Sequence, residues 1–409
     1  MRSGHLSQYF TGIAAKRLRD VEVNAKVSNQ HEFNGVNGLR AILGDDDGSA
    51  ITSPARFIYL TDDDPAPEIV EGKVSWYDSR RNQPHRAAEY RLYYPASAAM
   101  EKARPGDLLV VARRRAGDLL IIIADEGTTA ENQIHLLFGL GGSGLKFEIK
   151  SESETDELEL GFVGRFILEL LGIEIEETDE NYLEPMVERF GDLFPTTRIF
   201  SEYARNTLRG VNPQDDPDQT IIAWMEREEL LFRTFERHIV ADRLRAGFGP
   251  DGDDVDEFVS FSLSVQNRRK SRAGHALENH LETVFQTLDI RYSRTGVTEN
   301  KSKPDFLFPG VKEYHDGEFP ISLLTVLGVK ASCKDRWRQV LSEAKKIDQK
   351  HLLTLEPGIS AAQTTEMRDK LLQLVVPAAV HATYTADQRQ WLLSLRDFVG
   401  LVKERQSTT

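Results

Sequence analysis

The chain has 409 residues, 40% of them apolar and 28% charged, a composition that indicates a globular protein with more than one domain and excludes a disordered or fibrous one. Its 51 basic and 65 acidic side chains give a formal net charge of −14, which argues against indiscriminate binding of polyanions but allows a local basic cleft. Cys333 is the single cysteine, which excludes an intramolecular disulfide and a cysteine-based zinc site. With no apolar run near the ~20 residues that span a bilayer, we expect a cytoplasmic protein with no membrane partner.

Residues 1–175 predict a mostly β N-terminal domain with a barrel-like sheet. Turn-forming stretches such as DDDPAP and RPGD separate short apolar or alternating runs, which is typical of strands. These runs are RFIYLTDD, GKVSWYD, EYRLYYP, DLLVVARRR, DLLIIIAD and IHLLFGL. The sequence then becomes acidic and helix-prone, and we place a linker at residues 176–186.

Residues 187–409 predict an α/β domain with a central mixed sheet. Asp216 and Pro217 supply an N-cap and a first helical residue, and apolar residues at helical spacing continue from there to Gly247. Further helices are predicted over residues 272–290 and 335–348. Short strands are predicted at PDFLF, ISLLTVLGVK and HLLTL, so that helices and strands alternate.

Three residues around these strands suggest a metal-dependent hydrolase. Asp305 starts one strand and Lys330 ends another. Phosphodiester hydrolysis at neutral pH favours a divalent cation, and Mg²⁺ is usually held by one or two carboxylates. PD…(D/E)xK nucleases place a second carboxylate two residues before the lysine, but Gly328 occupies that position here. Glu343, at the edge of the apolar stripe of the predicted helix, is the candidate for the missing carboxylate.

Three blocks of sequence carry a family resemblance. NRRKSRAGHALENHLETVF, KPDFLFPGVKEYHDGEFP and VKASCKDRWRQVLSEAKKI together resemble the catalytic domain of EcoRII-type restriction endonucleases, a displaced-glutamate form of the PD-(D/E)xK superfamily. The resemblance runs from about residue 190 to the C-terminus and is looser over residues 1–170. It implies a restriction-endonuclease-like fold, Mg²⁺ as the cofactor, double-stranded DNA as the substrate and a homodimer.

The resemblance also implies roles at matching positions. Asp305, Lys330 and Glu343 would form the metal and water site, with Asp305 and Glu343 as metal ligands. Glu278, Tyr314 and Lys334 match further catalytic positions, and Lys270 matches a DNA-binding position. Asp335, Arg336 and Arg338 would read the CC/GG part of the target, because arginine can donate two hydrogen bonds to guanine and aspartate can accept one from cytosine.

For the N-terminal domain, the resemblance implies a DNA-binding pseudobarrel that binds an effector copy of the site and blocks the catalytic cleft until it does so. The basic residues that could contact DNA are Arg80, Arg81, His85, Arg86, Arg91 and the triplet Arg113–Arg115. Aromatic residues interleave with them, at Trp76, Tyr77, Tyr90, Tyr93 and Tyr94.

The sequence therefore predicts a type II restriction endonuclease that cuts a short CC/GG-containing palindrome, CCWGG-like, and leaves 5′-phosphates. Two alternatives stay open: an endonuclease that requires cytosine modification, and a non-catalytic sequence-specific DNA-binding protein. Simpler interpretations also stay open for Glu278 as a solvated helix residue, for Tyr314 as a loop anchor and for ARRRAGD as a hairpin tip. Trp337 and Cys333 are expected in the core.

Overall fold

The computed structural model describes residues 4–24, 31–33, 36–45, 49–64, 67–83, 85–142, 144–175, 179–333 and 336–408. It divides the chain into two units. The first comprises Met1–Ile175 with the short pieces Pro357–Ala361 and Ala382–Ala386, and the second comprises Glu176–Glu356, Ala362–His381 and Asp387–Thr409. In the predicted linker, residues 176–178 lie outside the described residues, and a 3₁₀ turn at Glu180–Tyr182 leads directly into a helix.

Eight strands dominate the first unit. They are β1 Phe10–Arg17, β2 Glu32–Phe33, β3 Ile51–Leu60, β4 Ile69–Asp78, β5 Tyr90–Tyr93, β6 Leu108–Arg114, β7 Leu119–Ala124 and β8 Glu148–Lys150. The helices are α1 Asp20–Val23, α2 Arg40–Leu43, α3 Ala98–Lys102, α4 Thr129–Phe138, α5 Glu152–Thr155 and α6 Phe162–Leu170.

These strands form one mixed sheet in the order β2-β5-β4-β3-β7-β6-β1-β8. Only β3 and β7 run parallel, and every residue of β7 is buried, as a continuous apolar run such as LLIIIA requires. The sheet curls. Phe33 of edge strand β2 and Ile149 of edge strand β8 both pack into the cluster that contains Val36 and Leu39. The predicted mostly β, barrel-like N-terminal region is confirmed.

One predicted strand of this unit is wrong. The run IHLLFGL lies in and just after helix α4. The Thr128 side chain accepts a hydrogen bond from the Glu131 backbone N–H, an N-cap that starts a helix before the apolar run begins. Gly139, with φ 57°, ends that helix in the left-handed region.

The second unit begins with four helices. They are α7 Leu183–Phe190, α8 Thr197–Asn206, α9 Pro217–Ala246 and α10 Val255–Thr287. The predicted start and end of α9 are confirmed, because the Asp216 side chain accepts from the N–H groups of Asp218 and Gln219, and Gly247 follows the last turn with φ 76°. Helix α10 starts well before the predicted residue 272, at an N-cap formed by Asp254.

A buried polar contact joins three of these helices. His280 Nε2 of α10 lies 3.0 Å from Glu228 Oε2 of α9, and Arg205 Nη1 of α8 lies 3.0 Å from His280 Nδ1. Burial lowers the pKa of His280, with the Glu228 carboxylate opposing the shift. The contact fixes α10 against α8 and α9, and α10 is the helix that carries Glu278.

The rest of the unit supplies a sheet and short helices. The strands are β9 Ser293–Arg294, β10 Phe306–Phe308, β11 Thr325–Lys330, β12 Lys350–Thr354 and β13 Leu372–Val375. The helices are α11 Val311–His315, α12 Trp337–Val340, α13 Ala361–Asp369, α14 Ala386–Arg389 and α15 Leu395–Ser407. Among the described residues, no helix is both long and apolar enough to cross a bilayer.

The sheet order is β13-β12-β11-β10-β9. Strands β9, β10 and β11 are antiparallel neighbours, whereas β11, β12 and β13 are parallel, so the predicted central mixed sheet is confirmed. Phe285 of α10 packs edge-on against Phe306 and Phe308 of β10, with ring centroids 5.1 and 5.2 Å away. This contact packs α10 against β10, the strand that follows Asp305.

Candidate active site

Asp305 and Lys330 meet because two antiparallel strands bring them together. Asp305 directly precedes β10, Lys330 ends β11, and the register pairs Phe306 with Leu327. Lys330 Nζ donates to Asp305 Oδ2 at 3.1 Å, and the Val329 backbone N–H donates to the same oxygen at 2.6 Å. Both charged side chains are largely but not fully buried. The structure therefore pairs the two residues that the sequence motif separates by 25 positions.

The structure explains why position 328 carries no carboxylate. Gly328 lies on β11, and a Cβ there would come within 2.6 Å of Val340 Cγ2 and 3.1 Å of Val340 Cγ1. Real Cβ atoms essentially never approach a neighbour as closely as 2.6 Å. Val340 is fully buried in α12, so it covers the place where the usual acidic side chain would begin. A second carboxylate must come from another part of the chain.

Glu343, the predicted source of that carboxylate, lies in a turn after α12. The predicted helix over 335–348 is wrong, because α12 ends at Val340 and Ala344 has φ 43°, outside the helical region. Glu343 Oε2 is buried without a hydrogen-bond partner. The pKa of Glu343 is raised to about 7, chiefly by burial and then by the Asp305 charge, while Lys330 and Lys350 oppose the shift. The Glu343 carboxyl group therefore lies close enough to Asp305 and Lys330 to interact with both electrostatically.

A clamp that the sequence did not reveal holds this turn. The Tyr314 hydroxyl donates to Glu299 Oε2 at 2.6 Å, and the Lys345 backbone N–H donates to the same oxygen at 3.2 Å. Lys346 donates its Nζ to the Tyr314 carbonyl at 2.9 Å and its backbone N–H to the Tyr314 hydroxyl at 3.3 Å. Tyr314 is fully buried, so it anchors the segment after Glu343 and presents no surface to a phosphate.

Glu278 of α10 is ion-paired with an arginine of β9, the strand next to β10. Arg294 donates to Glu278 Oε2 at 2.9 Å and to Glu282 Oε2 at 2.8 Å. On the sheet, Arg294 lies opposite Phe306, the residue after Asp305. Sequence reasoning missed Arg294, because an isolated arginine in a two-residue strand gives no pattern to detect. Glu278 is therefore an ion-paired residue, not a solvated one.

The residues predicted to read DNA are exposed where the structure describes them. Lys334 and Asp335 lie outside the described residues. Arg336 is exposed and donates to the Ser332 carbonyl at 2.9 Å. Arg338 donates to Glu366 Oε2 at 2.8 Å and lies 4.6 Å from the ring centre of Trp337, which is buried as predicted. Lys270 is exposed on α10.

Some of the basic residues predicted to contact DNA in the first unit form ion pairs within the protein. Arg80 pairs with Glu89 at 2.5 Å, and Arg91 pairs with Glu32 at 2.8 Å and with Glu89 at 2.7 Å. Arg81 and Arg86 are exposed, with Arg86 donating to Gln83 at 3.3 Å.

Other basic residues predicted to contact DNA in this unit are bound within the protein. The triplet Arg113–Arg115 is bound to the Ile42 carbonyl, to Asp118 and to the Ser7 carbonyl, respectively. Of the aromatic residues interleaved with these basic ones, Trp76 and Tyr90 stack in the core at 4.8 Å and Tyr94 is buried with them.

One other group of possible metal ligands stands apart from these residues. Asp192, His238 and Asp242 bring ligand atoms within 4.8 Å of one another in the described part of the chain. The cluster is largely exposed, and Arg245 Nη2 lies 2.7 Å from Asp242, which already supplies a positive charge. It therefore does not compete with Asp305 and Glu343 as the chemical centre.

Comparison with protein-family models assigns the C-terminal region. Residues 232–399 match the family model described as EcoRII C terminal. This region is similar to the EcoRII C-terminal family. The matched range contains all three residues of the candidate site. The type II restriction enzyme EcoRII of Escherichia coli is 42% identical to this chain over 230 residues, which are 56% of this chain and 55% of that protein. The chain thus matches about half the length of this curated EcoRII relative.

Solved structures give a more distant comparison. Metal-depleted Ecl18kI in complex with uncleaved, modified DNA has a TM-score of 0.46 and 19% identity, over 56% of this chain and 84% of that one. A complex of the restriction endonuclease PspGI with substrate DNA has a TM-score of 0.44 and 16% identity, over 53% of this chain and 95% of that one.

Proposed function

We propose that this chain is a type II restriction endonuclease that hydrolyses both strands of double-stranded DNA and leaves 5′-phosphate ends. The observation that carries the proposal is the contact between Asp305 and Lys330 together with the buried Glu343, which interacts electrostatically with both and has an oxygen without a hydrogen-bond partner. The match of residues 232–399 to the EcoRII C-terminal family model supports the same reaction. The proposed target is a short CC/GG-containing palindrome, CCWGG-like.

The donor set fits a divalent cation, and Mg²⁺ is the proposed one. Asp305 and Glu343 would hold it, because hard carboxylate oxygens are its usual protein ligands. Glu343 Oε2 is a buried polar atom that lacks a partner, and an uncompensated buried carboxylate is costly unless a cation or a proton neutralises it. When bound, the cation would neutralise charge on the phosphate and lower the pKa of a water molecule.

Lys330 would act in two ways. Its Nζ donates to Asp305 Oδ2 and would hold the Asp305 carboxylate in position for the metal. An ammonium group has three donors, and Nζ uses two of them on Asp305 and on the Val329 carbonyl. The third donor could orient the attacking water or a phosphate oxygen. Charge stabilisation of this kind is among the largest contributions to catalysis.

The other residues of the predicted site receive supporting roles in this proposal. Glu278 would act next to the metal site through its fixed position beside Arg294, and Tyr314 would act through the turn that carries Glu343. The proposed DNA contacts are Lys270, Lys334, Asp335, Arg336 and Arg338. Release of Arg338 from Glu366 would free its guanidinium for guanine, since surface ion pairs contribute little.

The first unit is proposed as an effector domain. Residues 1–175 would bind a second DNA copy, with the exposed Arg81 and Arg86 as direct contacts and with Arg80 and Arg91 recruited from their ion pairs. Residues 176–186 would connect it to a catalytic domain over residues 187–409. The active form would be a cytoplasmic homodimer, since a palindrome presents two equivalent half-sites.

The test is cleavage of a plasmid that contains several CCWGG sites, with and without Mg²⁺, using methylated and unmethylated DNA side by side. We expect discrete fragments from the wild type, and losses of at least about 100-fold for Lys330→Ala and Glu343→Gln. Lys403→Ala and Glu404→Gln, both exposed on α15, are matched controls that should cut normally. Melting temperatures of all variants show whether they fold.

Other outcomes separate the alternatives. Cleavage of methylated DNA alone would replace the proposal with a modification-dependent endonuclease. Specific binding of either DNA without cleavage, by a folded wild-type protein with Mg²⁺, would replace it with a non-catalytic DNA-binding protein. End-sequencing of the fragments gives the target, and ends without CC/GG would refute the proposed specificity.

A further inference from the structure

One peptide group after β11 is bound at both of its polar ends. It joins Ser332 to Cys333 and follows the end of β11 at Lys330 by two residues. Its N–H, which belongs to Cys333, donates to Glu356 Oε2. Its carbonyl, which belongs to Ser332, accepts from Arg336 Nη2 at 2.9 Å. Because a trans peptide is planar and its N–H and C=O point in opposite directions, the Glu356 carboxylate and the Arg336 guanidinium lie on opposite sides of one rigid group.

The Glu356 side of this chain of hydrogen bonds is fixed by the neighbouring strand. Strand β12 runs parallel to β11, with Thr354 opposite Lys330, and Glu356 follows β12 directly after Leu355. The Glu356 backbone N–H donates to Thr354 Oγ1 at 3.2 Å, and the same hydroxyl hydrogen-bonds with the Cys333 thiol. Thr354 and Cys333 are both fully buried, whereas Glu356 is half-buried. The carboxylate therefore acts from the rigid end of the sheet.

The segment that carries Arg336 has a second anchor, which is apolar. Trp337 is fully buried, but burial of apolar surface has no preferred direction, whereas a hydrogen bond is strong only near its ideal angle. The Arg336 backbone N–H donates to the Cys333 carbonyl at 2.8 Å, which closes a tight turn between the bound peptide and Arg336. The direction of the Arg336 side chain thus depends on the orientation of the Ser332–Cys333 peptide.

We propose that Glu356 is a positioning residue for base recognition, which directs the Arg336 guanidinium through the Ser332–Cys333 peptide. Hydrogen bonds to an ionised group are stronger than neutral ones, and bonds in a chain polarise one another. A guanidinium has five N–H donors, and the contact with the Ser332 carbonyl occupies one of them while it sets the plane of the group. Glu356 would itself touch no base.

This inference rests on the proposed function, because the assignment of Arg336 as a reader of guanine belongs to it. A bidentate contact of arginine with guanine improves discrimination against a wrong base pair by about tenfold or more. Loss of the Glu356 carboxylate would leave the Arg336 side chain present but wrongly directed. Discrimination should therefore fall about tenfold, while contacts with the DNA backbone, which carry no sequence information, persist.

The experiment measures DNA binding by fluorescence anisotropy of the full chain with Ca²⁺. One duplex contains CCWGG, and in the other the outer G·C pairs of the site are replaced by A·T pairs. Glu356→Ala should lower the ratio of the two dissociation constants about tenfold and leave the affinity for the altered duplex unchanged. Glu356→Gln keeps an oxygen acceptor and should retain most of the ratio. In an Arg336→Ala background, Glu356→Ala should have no further effect, because the group that it directs is gone.

Asp397→Ala is the matched control. Asp397 Oδ2 accepts from the Ser394 backbone N–H at 3.0 Å, so it is another carboxylate that holds a backbone N–H in the same unit. This variant should lose stability, measured as melting temperature, without any change in discrimination. Equal losses of discrimination in Asp397→Ala and Glu356→Ala would overturn the inference. Additive effects of Glu356→Ala and Arg336→Ala would overturn it as well.

The inference and the proposed function can fail separately. A wild type that cuts CCWGG and keeps its preference after Glu356→Ala would overturn the inference alone. A wild type whose preference for CCWGG depends on Glu356, but which never cuts with Mg²⁺, would refute the proposed function and leave the inference standing. A wild type that binds both duplexes equally would overturn the inference together with the proposed specificity.

Discussion

The close approach of Val340 to Gly328 predicts a specific energetic coupling. Gly328→Ala adds a methyl group 2.6 Å from Val340 Cγ2 in a buried strand, and such overpacking typically costs about 1–3 kcal/mol. Removal of a strand glycine would by itself stabilise the fold by roughly 0.5–1 kcal/mol. We therefore expect Gly328→Ala to lower the free energy of unfolding by about 1–2 kcal/mol.

Val340→Ala should relieve that clash. It leaves only the Cβ of residue 340, which lies 3.4 Å from the new methyl group, an ordinary contact. In the Val340→Ala background, Gly328→Ala should be neutral or slightly stabilising, which gives a coupling energy of roughly 2 kcal/mol. The single change Val340→Ala costs roughly 2 kcal/mol through its cavity.

Urea unfolding followed by tryptophan fluorescence measures this cycle. Trp224, Trp337 and Trp391 all lie in the second unit, and Trp76 is the single tryptophan of the first, so the signal reports mainly on the relevant unit. Gly400→Ala is the control, because its Cβ would meet nothing within 4 Å. Additive effects of the two changes, or a Gly328→Ala variant as stable as Gly400→Ala, would refute the steric account of the displaced carboxylate.

Two further predictions concern the clamp and an acid-sensitive contact. Glu299→Ala should weaken Ca²⁺ binding, measured by calorimetry, about tenfold and should slow cleavage, because the turn that carries Glu343 loses its anchor. An unchanged Ca²⁺ affinity would contradict the positioning role of Glu299. Burial would raise the pKa of Glu131, but hydrogen bonds from His135, Gly127 and Arg17 lower it to about 2. The ionised Glu131 therefore stabilises the fold by roughly 3 kcal/mol above pH 4.5, and this contribution is lost as the pH falls toward 2. Glu131→Gln should flatten the dependence of the free energy of unfolding on pH in this range. Parallel curves for wild type and variant would exclude this contribution.

The sequence was sufficient where local chemistry decides the structure. The N-cap at Asp216, the strand that leads to Lys330 and the burial of Trp337 all follow from patterns within a few residues. The mixed sheet and the pairing of Asp305 with Lys330 also agree with expectation. Strands β10 and β11 are short, almost continuously buried apolar runs, which short-range patterns detect.

Other features depend on contacts between distant segments. The apolar spacing around Glu343 predicts a helix, but anchoring of Lys345 and Lys346 by Glu299 and Tyr314 holds a turn instead. No spacing rule identifies such an anchor, because its two halves are about 30–45 positions apart. Likewise, aromatic residues among arginines suggest a DNA surface, yet the curled sheet draws Trp76 and Tyr90 into its core.

Because Glu343 and Lys330 lie on different segments, a mismatched base could change the position of one catalytic group relative to the other. Residues 331–342 connect Lys330 to Glu343, and the proposed base-reading arginines lie inside that segment. In the usual motif the acid and the lysine share one rigid strand, so recognition elsewhere can fail without moving either group. Here Arg336 and Arg338 flank the buried Trp337. A mismatched base that displaced the Trp337 indole would also displace Glu343, which follows a few residues later. Base recognition and bond cleavage would then be coupled through the segment 331–342.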